Sequence, residues 1–231
     1  VVNAARATHA YHTAAWQTGA QILSGKNHGA YTDLMRRHRL DFESAVREFV
    51  NEYSSYITQA QARLGTMFDA GDYPSAADIV GEFTFDVEIT PIPDASDFRI
   101  PDMSTADVDK IRADVDARQG ARLTAATADV WNRVKVRVDH LAAKLAVYNP
   151  DQPKANPFRD SCVDALLAQA DMIPALNIAG DSGLDDLRTA VVDSLCKFTP
   201  QELREDAALR ADIAAKAKAL AERMAGGAAA G

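Results

Sequence analysis

Few side chains in this sequence stand at spacings that support chemistry, and the clearest are two histidines. His9 and His12 are three residues apart, which can place both imidazoles on one face of a helix. A structural zinc site needs two further ligands, and Asp33, His38 and Asp41 follow in the sequence. Histidines on the surface or in the core explain the pattern more simply, so we predict no metal site and no cofactor.

Two acidic clusters could suggest a calcium site, but turns and helix starts explain them better. Asp69, Asp72 and Asp78 lack the alternate-position ligands and the closing glutamate of a calcium loop. Asp69 and Asp72 are typical turn formers, and Asp78 suits a capping position. Asp181, with the acidic residues that follow it, fits a helix N-terminus, where negative charge is stabilising.

Nucleophiles are present without the motifs that activate them. Cys162 and Cys196 stand outside any CxxC spacing, which favours two buried reduced thiols, with a disulfide between them as the alternative. The sequence contains no GxSxG elbow, no GxGxxG and no GxxxxGK[ST] phosphate loop. We therefore expect no catalytic residues and predict that the protein is not an enzyme.

The overall charge argues against nucleic acid as the main partner. The 231 residues carry a formal net charge of −8, whereas binding duplex nucleic acid requires clustered Lys and Arg. Arg36, Arg37 and Arg39 form the one basic cluster, which we interpret as a solvated helix face and, as a weaker alternative, a nucleic-acid contact. No run approaches eighteen apolar residues, so we predict no membrane span.

Apolar spacing predicts a first helix near Ala4–Trp16 and, after a glycine-containing break, a long second helix. That helix begins near Thr32 and ends near Gly65. Its stripe has spacings of four, three, four and four residues, the period of an α-helix, and consists of Phe42, Val46, Phe49, Tyr53 and Ile57.

The segment from Leu64 to Arg99 interrupts the helical pattern. Ser75 and Asp78 predict a capping box and a short helix. The alternation of apolar and polar residues over Phe83–Ile89 predicts a half-buried strand. Pro91 and Pro93 end that strand, and residues 98–100 are expected to form a short second strand beside it.

A second long helix is predicted from the Ser104/Asp107 capping box to Tyr148. About 45 residues would span about 65 Å, so the two long helices predict an elongated antiparallel hairpin, with a helix broken near Gly120 as the alternative. Three shorter helices should follow, one ending at or soon after Pro174 and the last starting at Thr199–Glu202.

These elements predict a mainly α fold: an antiparallel hairpin or bundle of long helices, a small β-hairpin insert and a C-terminal segment of three helices. We divide the chain into a long-helix region at 1–148, with the β insert at 65–100, a C-terminal helical segment at 149–225, and a flexible tail at 226–231. Because the sequence opens at Val1-Val2 without Met, we expect a further segment before it.

The sequence resembles a family of uncharacterised proteins of tailed bacteriophages and prophages. The resemblance covers nearly the whole chain and is carried by these residues: Arg6, His9, Tyr11, Trp16, Gly19, Phe42, Phe49, Tyr53, Leu64-Gly65, Phe68-Asp69, Asp72-Tyr73-Pro74, Phe83, Phe85, Pro91, Pro93, Asp97-Phe98-Arg99, Trp131, Phe158-Arg159-Asp160, Leu176-Asn177-Ile178, Asp181 and Pro200-Gln201-Glu202-Leu203-Arg204.

Genes of that family tend to lie near a gene for a cobaltochelatase-like AAA+ ATPase. The resemblance therefore implies a non-enzymatic phage protein in the cytoplasm of the bacterial host, acting as an adaptor or partner of such an ATPase. The alternatives are a structural or assembly protein of the virion, which would self-associate, and a nucleic-acid-binding accessory protein. The candidate interaction surface consists of Tyr73, Pro74, Phe83, Phe85, Pro91, Pro93 and Phe98.

Overall fold

The computed structural model describes residues 1–92, 94 and 103–227. It is mainly helical with one small antiparallel sheet, which confirms the predicted fold class. Its α-helices, in chain order, are α1 (Val2–His12), α2 (His28–Leu64), α3 (Ala76–Val80), α4 (Thr105–Val147), α5 (Ser161–Leu176), α6 (Ser182–Ser194), α7 (Pro200–Glu205) and α8 (Ala207–Gly227). The strands are β1 (Ala14–Gln17) and β2 (Ala20–Ile22).

The described residues form two compact units. The first combines residues 1–11 with 28–92, and the second combines 12–27 with 94 and 103–227. The long helix α4 therefore shares a unit with the C-terminal helices, whereas our division by sequence separated them at residue 148. The long helices α2 and α4 lie in different units, and their pairing as a hairpin stays a prediction.

The small sheet lies elsewhere than predicted. The prediction of a strand at Phe83–Ile89 is wrong, because residues 83–90 have no strand partner among the described residues. The expected second strand at 98–100 lies outside the described residues. Instead, β1 pairs antiparallel with β2, with Ala14 opposite Ile22 and a register shift between Ala15 and Gln17.

A glycine in the turn and polar contacts with α4 stabilise this hairpin. Gly19 closes it with a φ of 79°, a conformation that glycine adopts without strain. The backbone N–H of Ala15 donates to Asp129 Oδ2 on α4 at 3.1 Å. Arg133 pairs with the same carboxylate at 2.5 Å and donates to the carbonyl of Thr13 at 2.8 Å. Both members of the Asp129–Arg133 ion pair thus hydrogen-bond to the backbone at the start of the hairpin and fix it to α4.

The C-terminal half of α4 supplies the centre of the second unit's core. Its buried side chains recur every three or four residues and are at most 2 % exposed: Val130, Val134, Val138, Leu141 and Leu145. Buried residues of α5, α6 and α8 complete the same cluster. The helix continues without a break through Gly120, so the predicted alternative of a broken helix is wrong.

Helix starts follow the predicted caps with one difference of detail. Thr199 and Glu202 form the expected capping box, and the bonds from Thr199 hold the pKa of Glu202 below its ordinary value. Ser75 and Ser104 also cap their helices. However, Asp78 and Asp107 accept from the hydroxyls of Ser75 and Ser104 at 2.6 Å and form no capping box, because the aspartate side chain is shorter than that of glutamate.

The C-terminal helices differ from expectation at two points. Pro174 lies inside α5, which ends two residues later. The last predicted helix is divided into α7 and α8 at Asp206, whose side chain caps α8 by accepting from the N–H groups of Ala208 and Leu209. The C-terminal segment therefore has four helices. Helix α8 continues to Gly227, inside the predicted tail, and residues 228–231 lie outside the described part.

None of the helices in the described ranges is long and apolar enough to cross a lipid bilayer.

The burial along α4 gives a matched test of the core. Val138 is fully buried, whereas Val136, two residues earlier, is 57 % exposed. We expect Val138→Ala to lower the free energy of unfolding by about 2 kcal/mol, because two methyl groups leave a cavity. Val136→Ala should change it by less than about 0.5 kcal/mol.

Tryptophan fluorescence in a urea titration is the measurement, because Trp16 and Trp131 both belong to the second unit. Equal effects of the two substitutions would contradict the position of this stripe.

Candidate protein-interaction surface

A stripe of aromatic residues on α2 forms the base of the candidate surface in the first unit. The Phe49 ring lies 5.6 Å from that of Tyr53 and 5.9 Å from that of Tyr56, measured between centroids. Tyr53 is buried, but Tyr56 is 42 % exposed. The Tyr56 hydroxyl donates to Glu52, and this bond raises the pKa of the tyrosine.

After α2 the chain reverses direction through turns with identifiable causes. Gly65 has a φ of 55° and opens a short 3₁₀ turn. Asp69 caps a second 3₁₀ turn by accepting from the N–H of Gly71 at 2.8 Å. Phe68 and Tyr73 stack at 5.1 Å. The turns and α3 bring the chain back along the helix it has just left.

The chain that comes back, residues 82–92, is called the return segment here. Phe83 meets Phe49 edge-on at 5.6 Å, and Phe85 meets Phe42 at 5.7 Å. Moving two residues forward in the segment thus moves seven residues backward on α2. Seven helical residues cover about 10 Å and two extended residues about 7 Å, and the phenylalanine side chains reach across the difference. The return segment therefore runs antiparallel to α2, with alternate side chains toward it.

The backbone of the return segment lacks the partners that a strand requires. Within the described residues, no N–H or C=O from 84 to 92 hydrogen-bonds to another backbone group. The residue types are those that favour strands, namely aromatic and β-branched residues. The predicted alternation is present, but α2 takes the place of a neighbouring strand. Among the described residues, neither edge of the segment pairs with another strand.

The outward row of the return segment is acidic. Thr84, Asp86, Glu88 and Thr90 are all exposed and alternate with the row that faces α2. Neither Asp86 nor Glu88 forms an ion pair with any described residue. No lysine or arginine occurs between 82 and 92. The row therefore presents negative charge beside backbone groups that have no backbone partner in the described part of the chain.

The structure brings together only part of the predicted interaction surface. Phe83 and Phe85 lie on α2, whereas Tyr73 stacks on Phe68. Pro74 and Pro91 are exposed. The two remaining candidates, Pro93 and Phe98, lie outside the described residues. Two other exposed residues were not on the predicted list of surface residues: Ile89, which ends the predicted strand and is 51 % exposed, and Ile92, which is 45 % exposed.

The three arginines proposed as a nucleic-acid contact have different surroundings. Arg36 forms an ion pair with Asp33 one turn earlier. The Arg39 guanidinium lies 5.9 Å from the centroid of the Phe85 ring, where a cation is attracted to the aromatic face. Arg37 is exposed. Arg39 thus helps to hold the return segment on α2.

The three histidines considered as metal ligands each hydrogen-bond to a different residue. His9 Nδ1 and the Tyr31 hydroxyl are 2.9 Å apart, and burial lowers the pKa of His9 and raises that of Tyr31. His38 bonds to the Thr8 hydroxyl at 2.9 Å. His12 bonds to Asn27 at 3.1 Å. Among the residues that the structure describes, no group of three potential ligands could hold a metal ion.

The second unit contains a groove of about 1020 Å³, bordered by α4, the start of α6 and the end of α8. Trp131 forms part of its wall and donates its indole N–H to Asp181 Oδ2 at 3.0 Å. A Cβ atom at Gly183 would come within 3.1 Å of the Trp131 ring, so glycine fits here. The groove also contains Leu123, Leu187, Leu220 and Met224, so it suits an apolar group.

Cys162 and His140 form a thiol–imidazole contact. Cys162 lies in the first turn of α5, and its Sγ is 3.7 Å from His140 Nε2. The imidazole can accept the thiol proton in this arrangement. Cys196 differs, because burial and the nearby Asp171 raise the pKa of its thiol to about 11. Both cysteines are free thiols.

Comparison with protein-family models, with curated proteins and with solved structures gave no match.

The two cysteines should react with thiol reagents at different rates. At pH 8 the Cys196 thiol is almost fully protonated, because this pH is about three units below its pKa of about 11. We expect 5,5′-dithiobis(2-nitrobenzoic acid) to modify Cys162 quickly and Cys196 slowly.

The fast phase should disappear in Cys162→Ser and persist in Cys196→Ser. Raising the pH toward 11 should accelerate the slow phase. Two fast thiols at pH 8 would contradict the burial of Cys196.

Proposed function

We propose that this protein is a non-enzymatic interaction module that binds a partner protein at the return segment. The observation that supports this proposal is a β-prone segment held on a helix by alternate side chains, with its backbone edges unpaired in the described structure. Proteins commonly recognise partners by adding a strand to such an edge.

The distribution of exposed apolar side chains supports the same location. Eleven large hydrophobic residues are exposed among the described residues, and nine of them belong to the first unit. The return segment contributes Phe83, Ile89 and Ile92, and Val80 and Met67 precede it. Concentrated apolar exposure of this kind marks interaction sites more often than scattered exposure does.

The partner that we propose is an AAA+ ATPase of the cobaltochelatase-like type, met in the cytoplasm of a phage-infected bacterium. This part of the proposal rests on the resemblance to the phage protein family and on the gene neighbourhood of that family. In this role the protein would act as an adaptor that presents a substrate or positions the ATPase.

A second candidate function is a structural or assembly role in the virion. The observation that favours it is the length of the helices, since α2 has 37 residues and α4 has 43. At 1.5 Å per residue, α4 alone is about 65 Å long. Mass spectrometry of purified particles distinguishes the two functions, because a virion component would be present at high copy number.

Capture of the ATPase by the tagged protein tests the first function. We expect the wild-type chain to retain the ATPase encoded by a neighbouring gene on a column and to change the rate at which that ATPase turns over ATP. Ile89→Ser with Ile92→Ser should weaken the capture at least tenfold, because both side chains are exposed and their loss removes apolar contact area.

The matched control is Val136→Ser with Val147→Ser, which removes two side chains of similar exposure from the second unit. This control should bind as the wild type does. Absence of a complex together with unchanged ATP turnover would reject the ATPase as partner, and equal binding by both double variants would reject the return segment as the site.

A further inference from the structure

We propose that the return segment binds a short basic β-strand in which cationic and apolar residues alternate. This inference rests on the proposed function, because it specifies the chemistry of the partner at the same surface. Three features support it: the open backbone edge, the acidic outward row and the position of Pro91.

The open edge determines the form of the partner. A strand added beside the return segment would satisfy the N–H and C=O groups of residues 84–90, which have no backbone partner in the described structure. A helix or a loop cannot supply hydrogen bonds at the regular spacing of a strand. The partner is therefore an extended segment of protein.

The proline limits the length of that partner. Pro91 has no N–H group, so a ladder of hydrogen bonds cannot continue through it. Gly81 and Glu82 still belong to the turn that follows α3, with their N–H groups bonded to carbonyls of that helix. About seven residues, from 84 to 90, remain for pairing, which is an ordinary strand length.

The acidic row determines the charge of the partner. Side chains of neighbouring strands that point the same way lie about 5 Å apart, and opposite charges there attract. Asp86 and Glu88 point away from α2 and have no ion-pair partner among the described residues. The partner should therefore place lysine or arginine at two positions separated by one residue.

The other row of the partner should be apolar. Residues of that row would lie over α2 beside Phe85 and Val87, which are half-buried. Ile89 is 51 % exposed in the same row and would be covered. The partner strand is thus expected to alternate basic residues with residues such as valine or isoleucine.

The same charges disfavour a second copy of this chain as the occupant of the edge. An antiparallel pair of return segments centred on Val87 would place Asp86 of each copy opposite Glu88 of the other. Like charges directly opposite each other destabilise a strand pair. The acidic row therefore disfavours self-pairing in this register and favours a basic partner.

Peptide binding to the full chain tests this inference, with fluorescence anisotropy as the measurement. The probe is a labelled seven-residue peptide of alternating lysine and valine. We expect saturable binding that weakens as salt is raised, because exposed charges are screened. A peptide of the same composition with lysines and valines in separate blocks should bind at least tenfold more weakly.

A third peptide, with the alternating sequence but N-methyl groups along one backbone edge, tests the ladder itself. It keeps the charges and loses the hydrogen-bond donors, so it should also bind at least tenfold more weakly. Equal binding of the alternating and blocked peptides, or of the methylated and unmethylated ones, would overturn the inference.

Charge reversal tests the acidic row. Asp86→Lys with Glu88→Lys should weaken binding of the lysine–valine peptide at least tenfold and create binding of a glutamate–valine peptide. The matched control is Asp116→Lys with Asp193→Lys, which makes the same charge change at exposed positions of the second unit. Circular dichroism of both double variants verifies that the helices remain.

The outcomes separate this inference from the function on which it rests. If the chain captures the ATPase in an Ile89- and Ile92-dependent way but does not bind the alternating peptide, the basic strand is wrong and the interaction function stands. If the peptide binds and the ATPase does not, the strand chemistry stands and the ATPase is the wrong partner.

Discussion

The need of every peptide group for a hydrogen-bond partner is the constraint on which the rest of this structure depends. In the helices the chain satisfies it locally, and caps such as Ser104, Asp181 and Thr199 complete the first turns. In the hairpin, β1 and β2 satisfy each other, and Asp129 takes the N–H of Ala15. The return segment has none of these solutions among the described residues, and its backbone is left to water or to a partner.

The sequence predicted those elements whose signals are local. The two ends of α4 and the capping box at Thr199 required no knowledge of distant contacts, and both predictions were confirmed. The hairpin was missed because its strands have only four and three residues and are rich in alanine. The signal that would have found it is the two-residue connection ending in Gly19, between Gln17 and Ala20.

The return segment shows why alternation alone did not identify a strand. Alternation of apolar and polar residues indicates that one row of side chains is covered, but it does not identify the element that covers that row. Here the covering element is α2, so Phe83 and Phe85 meet Phe49 and Phe42 where another strand was expected. Tyr73 lies away from that row, because the local turns stack it on Phe68, five residues earlier. The sequence identified the aromatic members of the candidate surface but not their contacts.

Typical free energies indicate how much hydrogen bonds and apolar burial would each contribute to binding at the return segment. Each backbone hydrogen bond contributes about 0.5–1.5 kcal/mol net, so a ladder of about five gives only a few kcal/mol. Association costs about 4 kcal/mol or more in lost freedom, so a ladder alone would not hold a partner. Covering Ile89 and Ile92 adds apolar burial of up to about 1.5–3 kcal/mol each. The ladder and the Asp86–Glu88 row would then set register and direction, and the isoleucines would supply much of the affinity. A surface built in this way would bind a partner reversibly.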